Sequence, residues 1–331
     1  MRCSAIRLKR HRFLAAVALL AFAGGAMACQ VPVFRYALER WSPDDYRILV
    51  ISDQQLTAQQ EDLVKQLNED VIRFSGTAVG VQNVSESTDR MVKEIWARHG
   101  AQKQPLVAAL YPQQNELSNG PIASLSLLTG ESVKQFGNSP ARREIVERLS
   151  QGDSAVWILL QCGEPEKDSK ALKTLEEQLV IQAERLKLPS PEELEIEPER
   201  LAKAKIRLLI HFSVITVRVN DPEEKVLVDC LLNSESDLRE FQEPIAFPVF
   251  GRGRVLYALV GAGISPETIQ KASSFIVGPC SCQVKEQNPG FDLPLNCDWA
   301  ARVGDTFISE PVPEDSTEPR LLTIPPGRSR K

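Results

Sequence analysis

The chain reads as an α/β protein of two lobes, each a mixed sheet flanked by helices, followed by a cysteine-bearing C-terminal extension. Three observations carry this. Apolar, β-branched runs alternate with helical spacing through residues 47–110. The same alternation returns between 138 and 276, around the wholly apolar run Ala155 to Leu160. Beyond it, GPCSCQVKEQNPGFDLPLNCDW (278–299) gathers three of the seven cysteines within eighteen residues. Strand alternating with helix is the pattern of a parallel or mixed layer with helices laid on it.

Residues 1–28 form an export signal. Arg2, Arg7, Lys9, Arg10 and Arg12 precede the apolar run Phe13 to Phe22, which is too short to span a bilayer comfortably, and Ala26-Met27-Ala28 ends the segment as an A-x-A cleavage site. A buried core helix would carry neither the basic block nor the small-residue exit. At Cys29 the segment also resembles a bacterial lipoprotein signal, in which that cysteine is lipidated after cleavage. It departs from the pattern at position −3, where Ala26 replaces the usual Leu. Cys29 is therefore a lipidation candidate, and plain cleavage is the alternative. The whole chain carries −5, and removing five basic and no acidic residues leaves the mature chain at −10. Such a charge argues against nucleic acid and against anionic lipid surfaces, so membrane contact is expected only through a lipid on Cys29. The periplasm or cell envelope is the expected location. The remaining 303 residues suffice for about two domains, and a hydrophobic content of 43% supports real cores.

The first lobe, 29–137, opens with Arg35, Tyr36, Glu39, Arg40 and Trp41, which either dock the N-terminal segment onto the domain or, if Cys29 is lipidated, sit close to the membrane. Arg47 to Ile51 is a strand candidate. Leu56, Leu63, Leu67 and Val71 fall near helical spacing, with Thr57 as N-cap. A strand from Thr77 to Val81, a helix from about Ser87 to Arg98 and a strand from Pro105 to Leu110 follow, and Gly120 to Leu128 suits a sheet edge.

The second lobe, 138–276, starts with Ser139 capping a helix whose Pro140 takes the tolerated first position, with Glu144 and Arg148 spaced as an ion pair. Gly152-Asp153 ends that helix before the buried-type strand Ala155 to Leu160. Residues 168–187 form a long amphipathic helix, and a charged, proline-punctuated linker covers about 188–205. Ile206 to Val219 is a strand long enough to need a bend. Val226 to Leu232 is a further strand candidate carrying Cys230, and Ser234 is expected to cap a short helix through Phe241, with Asp237 in the capping-box place. The 277–308 extension precedes a proline-rich polar tail, 309–331, whose composition suits disorder.

Residues 244–275, PIAFPVFGRGRVLYALVGAGISPETIQKASSF, resemble the C-terminal half of a thioredoxin-like fold. There a cis-proline precedes an antiparallel hairpin and a final helix, and Pro244 matches the proline. The strand ending at Cys162 resembles the first half, where such folds carry redox cysteines. The second cysteine of a C-x-x-C would fall on Pro165, so two-cysteine chemistry is not expected. Residues 47–110 resemble a more degraded copy, with Pro105 in the proline place and Ser52-Asp53-Gln54 where the thiols would stand. At whole-chain level CQVPVFRYALERW (29–41), FPVFGRGR (247–254) and GPCSCQVKEQNPG (278–290) resemble a family of exported bacterial proteins; that resemblance implies location and architecture and no activity.

The candidates for chemistry follow. Cys280, Cys282 and Cys297 suit a structural disulfide, Cys297 with either of the other two, in an oxidising compartment. Closing that loop is worth about 3 kcal/mol in the chain-entropy view. The same three thiols can instead exchange disulfides or hold Cu(I) or Zn, with Cys162 as a further thiol; a fourth metal ligand is missing locally, Asp292 and Asp298 being the nearest carboxylates. Cys162 precedes a helix, whose dipole would lower its pKa; otherwise it packs as a small hydrophobe or bridges Cys230. Arg252 and Arg254 in the Gly-Arg-Gly-Arg turn are anion-binding candidates, set against a turn that only joins two strands. His99 suits a helix C-terminus and His211 a strand core. The chain holds no H-E-x-x-H, G-x-S-x-G, P-loop or C-x-x-C-H motif. The sequence thus favours a non-enzymatic envelope binding or assembly protein with a protein partner. Thiol–disulfide or metal handling through Cys280 and Cys282 is the alternative.

Overall fold

The computed structural model describes residues 30–75, 78–100, 104–112, 120–280 and 283–311. Cys29, Cys282 and the tail beyond 311 lie outside these residues, as do the signal segment and its cleavage site.

Helix α1 (Val33–Arg40) precedes strand β1 (Arg47–Ser52). Thr57 then starts α2 (Ala58–Ser75): its hydroxyl accepts from the Gln60 amide at 3.3 Å while Gln60 Oε1 accepts from the Thr57 amide at 2.9 Å. Strand β2 (Gly80–Asn83) runs parallel to β1, and α3 (Arg90–His99) is capped by Asp89. Strands β3 (Leu106–Leu110) and β4 (Ile122–Leu127) complete an antiparallel run, giving the sheet order β2-β1-β3-β4. Helix α4 (Gly130–Gly137) follows. Next comes α5 (Pro140–Gln151), capped by Ser139 and ended by Gly152 at φ 109°.

The second lobe repeats the plan. Strand β5 (Ala155–Gln161) leads into α6 (Pro165–Arg185), the short α7 (Pro198–Lys203) and β6 (Phe212–Arg218), which is parallel to β5. Helix α8 (Lys225–Leu232) returns the chain to β7 (Ile245–Phe250), antiparallel to β5 on its other side. Two short strands, β8 (Arg254–Val255) and β9 (Leu259–Val260), both pair with β7. The gap between β8 and β9 lies opposite Phe247 and Pro248 of β7, and Pro248 has no N–H to offer. Helix α9 (Pro266–Val277), β10 (Phe291–Asp292) and α10 (Trp299–Val303) finish the described chain. Within each lobe the first two strands are parallel and the rest antiparallel, in the spatial order second, first, third, fourth. That is the topology of a thioredoxin-like lobe.

The helices confirm it. In lobe 1, α3 covers one face of the sheet through Val92 and Ile95 on Leu49 and Ile51, whereas α2 and α4 cover the other through Leu67, Val71 and Phe136 on Ile48 and Val50. In lobe 2, α6 and α9 share one face with Trp157 and Leu159, and α8 lies on the other with Val156 and Ile158. The inward faces of the two sheets belong to one continuous core. The molecule is therefore five layers deep: α3, the first sheet, a shared layer of α2, α4, α5 and α8, the second sheet, and α1, α6 and α9.

Several expectations change. Val226 to Leu232 is helix α8 rather than strand. It is wedged between the lobes with six of its eight residues apolar and buried. Lys225 and Asp229 alone form a polar stripe, too narrow to show a helical period. Cys230 is core, in a helix. Ser234 does not cap a following helix; its hydroxyl donates to the Leu231 carbonyl at 2.7 Å, and only a 3-10 turn, Leu238–Glu240, follows. The 188–205 stretch is no free linker, because Leu194 and Ile196 are buried in the outer core. Strand β6 begins at Phe212, six residues later than expected, and His211 is exposed beside Asp153, its Nδ1 2.6 Å from Oδ1. There is no cis peptide among the described residues, so Pro244 and Pro105 are trans.

Candidate functional site

Both lobes present a groove at the C-terminal ends of their parallel strand pair. In lobe 2 it holds about 260 Å³, between Cys162, Asn220, Arg239, Phe241 and Glu243. Cys162 leaves β5 with its amide on Asp168 Oδ1 at 2.9 Å, and the Gly163 amide takes Oδ2 at 3.0 Å. That carboxylate anchors the turn into α6. It also reverses the expected effect of the helix: burial first, then the hydrogen bond and charge of Asp168, raise the Cys162 pKa above its ordinary 9.0, outweighing the Glu164 amide that lowers it. Across the rim Lys167 Nζ meets Glu243 at 2.6 Å.

In lobe 1 the corresponding groove is larger, about 730 Å³, and runs between β2 and α2. Its floor begins at Ser52, whose hydroxyl donates to the Gln54 carbonyl at 2.8 Å, the place a thiol would occupy. The rim is rich in amides: Gln54, Gln55, Gln82 and Asn83.

The remaining sulfurs lie apart from both. Cys230 and Cys297 are free thiols, and burial pushes them up to about 12 and about 11. Cys280 is buried, its amide donating to the Val31 carbonyl at 2.9 Å, in the outer core; Cys297 belongs to the shared core. The structure does not bring Cys280 and Cys297 together, nor does it bridge Cys162 to Cys230. Any pairing or metal site through Cys282 lies outside the described residues, among which no group of three or more His, Cys, Asp or Glu is placed to hold a metal. Asp298 caps α10 on the Ala301 amide at 3.0 Å. Asp292 is enclosed by Lys285 Nζ at 2.5 Å and Arg254 Nη1 at 3.2 Å.

The Gly-Arg-Gly-Arg turn faces inward. Arg252 donates to the carbonyls of Leu38 at 2.7 Å and Glu39 at 2.9 Å, at the end of α1. Arg254 donates to the Pro289 and Asn288 carbonyls and lies 5.6 Å from the Trp41 ring. Arg254 is buried with its donors on protein acceptors, and Arg252 spends Nε and Nη2 on the end of α1. Gly251, at φ 61°, is required because an added Cβ would sit 2.6 Å from that of Ala37. The N-terminal cluster likewise serves docking: Arg35 and Glu39 form a buried pair at 2.7 Å, and Glu39 also accepts the Ile308 and Ser309 amides. Sequence reasoning missed this closure. Its sole trace was that the segments 29–41, 247–254 and 278–290 stood out together.

No protein-family model, curated protein or solved structure matches the chain. Among the described residues no helix is long and apolar enough to cross a membrane. Among the described residues the two grooves at the strand ends are open to a ligand or partner, and a further cleft of about 520 Å³ lies beside Cys297 and Trp299.

Proposed function

We propose that this chain is an exported, non-catalytic binding or assembly protein of the cell envelope, in which two thioredoxin-like lobes serve as a scaffold for a protein partner. The observation carrying this reading is the pair of grooves at the strand ends, one without a thiol and the other with a lone thiol kept protonated. Ligands of open α/β sheets gather outside the carboxyl ends of the strands. A reactive thiolate needs electropositive surroundings, and Cys162 has Asp168 instead. Cys230 and Cys280 pack as small hydrophobes in the cores. Export rests on the signal pattern of residues 1–28, with Cys29 either the mature N-terminus or a lipid anchor.

Thiol counting by mass spectrometry on protein taken from the native envelope tests this. The expected result is an unchanged thiol count through mild oxidation and reduction, with the mass at Cys29 reporting any lipid. Cycling between Cys280 and Cys282 overturns the reading in favour of disulfide exchange. Copurifying copper or zinc that is lost on Cys282→Ser overturns it in favour of metal handling.

A further inference from the structure

We propose that the outer edge of β2, with the groove beside it, docks an extended basic peptide segment of the partner, which adds a strand to the first sheet. This rests on the binding reading above and specifies its site and ligand chemistry.

Strands β4 and β6, edges of the two sheets, carry side-chain donors on their outward carbonyls. On β4 the Leu125 carbonyl accepts from Lys225 Nζ at 3.1 Å and the Ala123 carbonyl from Asn233 Nδ2 at 3.0 Å, so α8 and its C-cap close that side. On β6 the Val214 carbonyl accepts from Arg148 Nη1 at 3.0 Å. Strand β2, by contrast, pairs with β1 alone among the described residues. The Val84 amide donates to the Ser52 carbonyl at 2.8 Å, which fixes the alternation: Gly80 and Gln82 face β1, and Val79, Val81 and Asn83 face outward. Val79 has its amide on Asn68 Oδ1 at 2.9 Å, and the Asn83 carbonyl accepts from Ser87 at 2.8 Å. Val81 is left with its N–H and C=O outward and its residue 49% exposed.

The strand reads GVQN, without the lysine, proline or inward charge by which edges are usually protected. Strand addition is the recognition mode that uses such an edge: main-chain pairing supplies affinity and adjacent pockets supply selectivity. The pocket is the 730 Å³ groove. Its amides donate and accept, as a peptide backbone requires, and Leu56 and Val64 offer an apolar floor. Glu61 and Glu86 outnumber Lys65 along it, which favours a ligand carrying Lys or Arg.

The test is selection of displayed random peptides on the full mature chain, followed by titration of labelled winners. Val81→Pro removes the outward N–H and leaves the β1 ladder intact; Val81→Lys charges the edge and covers the case in which proline unsettles the strand. Selected peptides are expected to be rich in Lys or Arg and to lose about tenfold or more in affinity on either variant, and again when their own alternate amides are N-methylated. Peptides indifferent to all three changes, or no enrichment at all, overturn the proposal. Winners whose affinity falls instead with Phe241→Asp, in the lobe 2 groove, overturn this site and leave the binding reading standing. Disulfide cycling at Cys282 would sink that reading separately.

Discussion

Asp292 takes Lys285 and the Asp44 amide on one oxygen and Arg254 on the other, and Lys285 reaches on to Asp44 at 2.6 Å. A carboxylate that looks like a metal ligand in the sequence is thus already used inside a four-residue charge network. Burial, then the charge of Asp292, raises the Asp44 pKa against the pull of Lys285. The thiols follow the same rule of surroundings. For Cys297, burial lifts the folded pKa to about 11 from an ordinary 9.0. A raised folded pKa means that the folded state holds the proton more tightly. The contribution is therefore complete below pH 9 and is lost as pH rises through about 11. Urea unfolding midpoints should fall across that window, and Cys297→Ala should flatten the fall; a fall unchanged in Cys297→Ala contradicts this assignment.

Helix α8 decides how the two lobes behave as one. Leu227 is fully buried in the shared core, and Asn233 at its end closes the β4 edge of the other lobe. Leu227→Ala should cost about 2–5 kcal/mol, as large-to-small core changes do. Hydrogen exchange should then show β3 and β5 losing protection together; loss confined to β5 would mean that the lobes unfold separately. Sequence reasoning read this element as strand because KVLVDCLL offers β-branched residues and only two polar ones, Lys225 and Asp229. Where a helix keeps a wet side, as α2 and α5 do, its caps and spacing were legible.

The whole molecule is closed by its ends. Arg35 Nη1 donates to the Ile206 carbonyl at 2.7 Å, 171 residues away, and the Cys280 segment pairs with Val31 through the bridge Pro32–Pro279. The Trp41 indole donates to the Gln283 carbonyl at 2.9 Å, and Asn296 Nδ2 to the Asp70 carbonyl at 2.6 Å. The extension is thereby built into the body and touches both lobes. A chain ending at Gly304 loses Ile308 and Ser309 and leaves Glu39 with Arg35 alone in the interior. Denaturant titration should show it less stable by about 1.5–3 kcal/mol, as for lost hydrogen bonds to a buried charged group. The double change Arg35→Met, Glu39→Leu in the shortened chain should recover part of that loss; stability equal to that of the full chain would show the closure to be decorative.

From the sequence alone came what neighbours along the chain decide: the strand–helix alternation, the caps at Thr57 and Ser139, the Gly-Arg-Gly hairpin, and the missing second thiol at Pro165. Only the tertiary structure decided which charges pair, that Arg252 and Arg254 point inward, that Cys162 meets Asp168, and that β2 keeps an open edge. Periodicity and capping act over a few residues, whereas burial and hydrogen-bond partners are set by segments up to some hundreds of residues apart, whose approach no local pattern records.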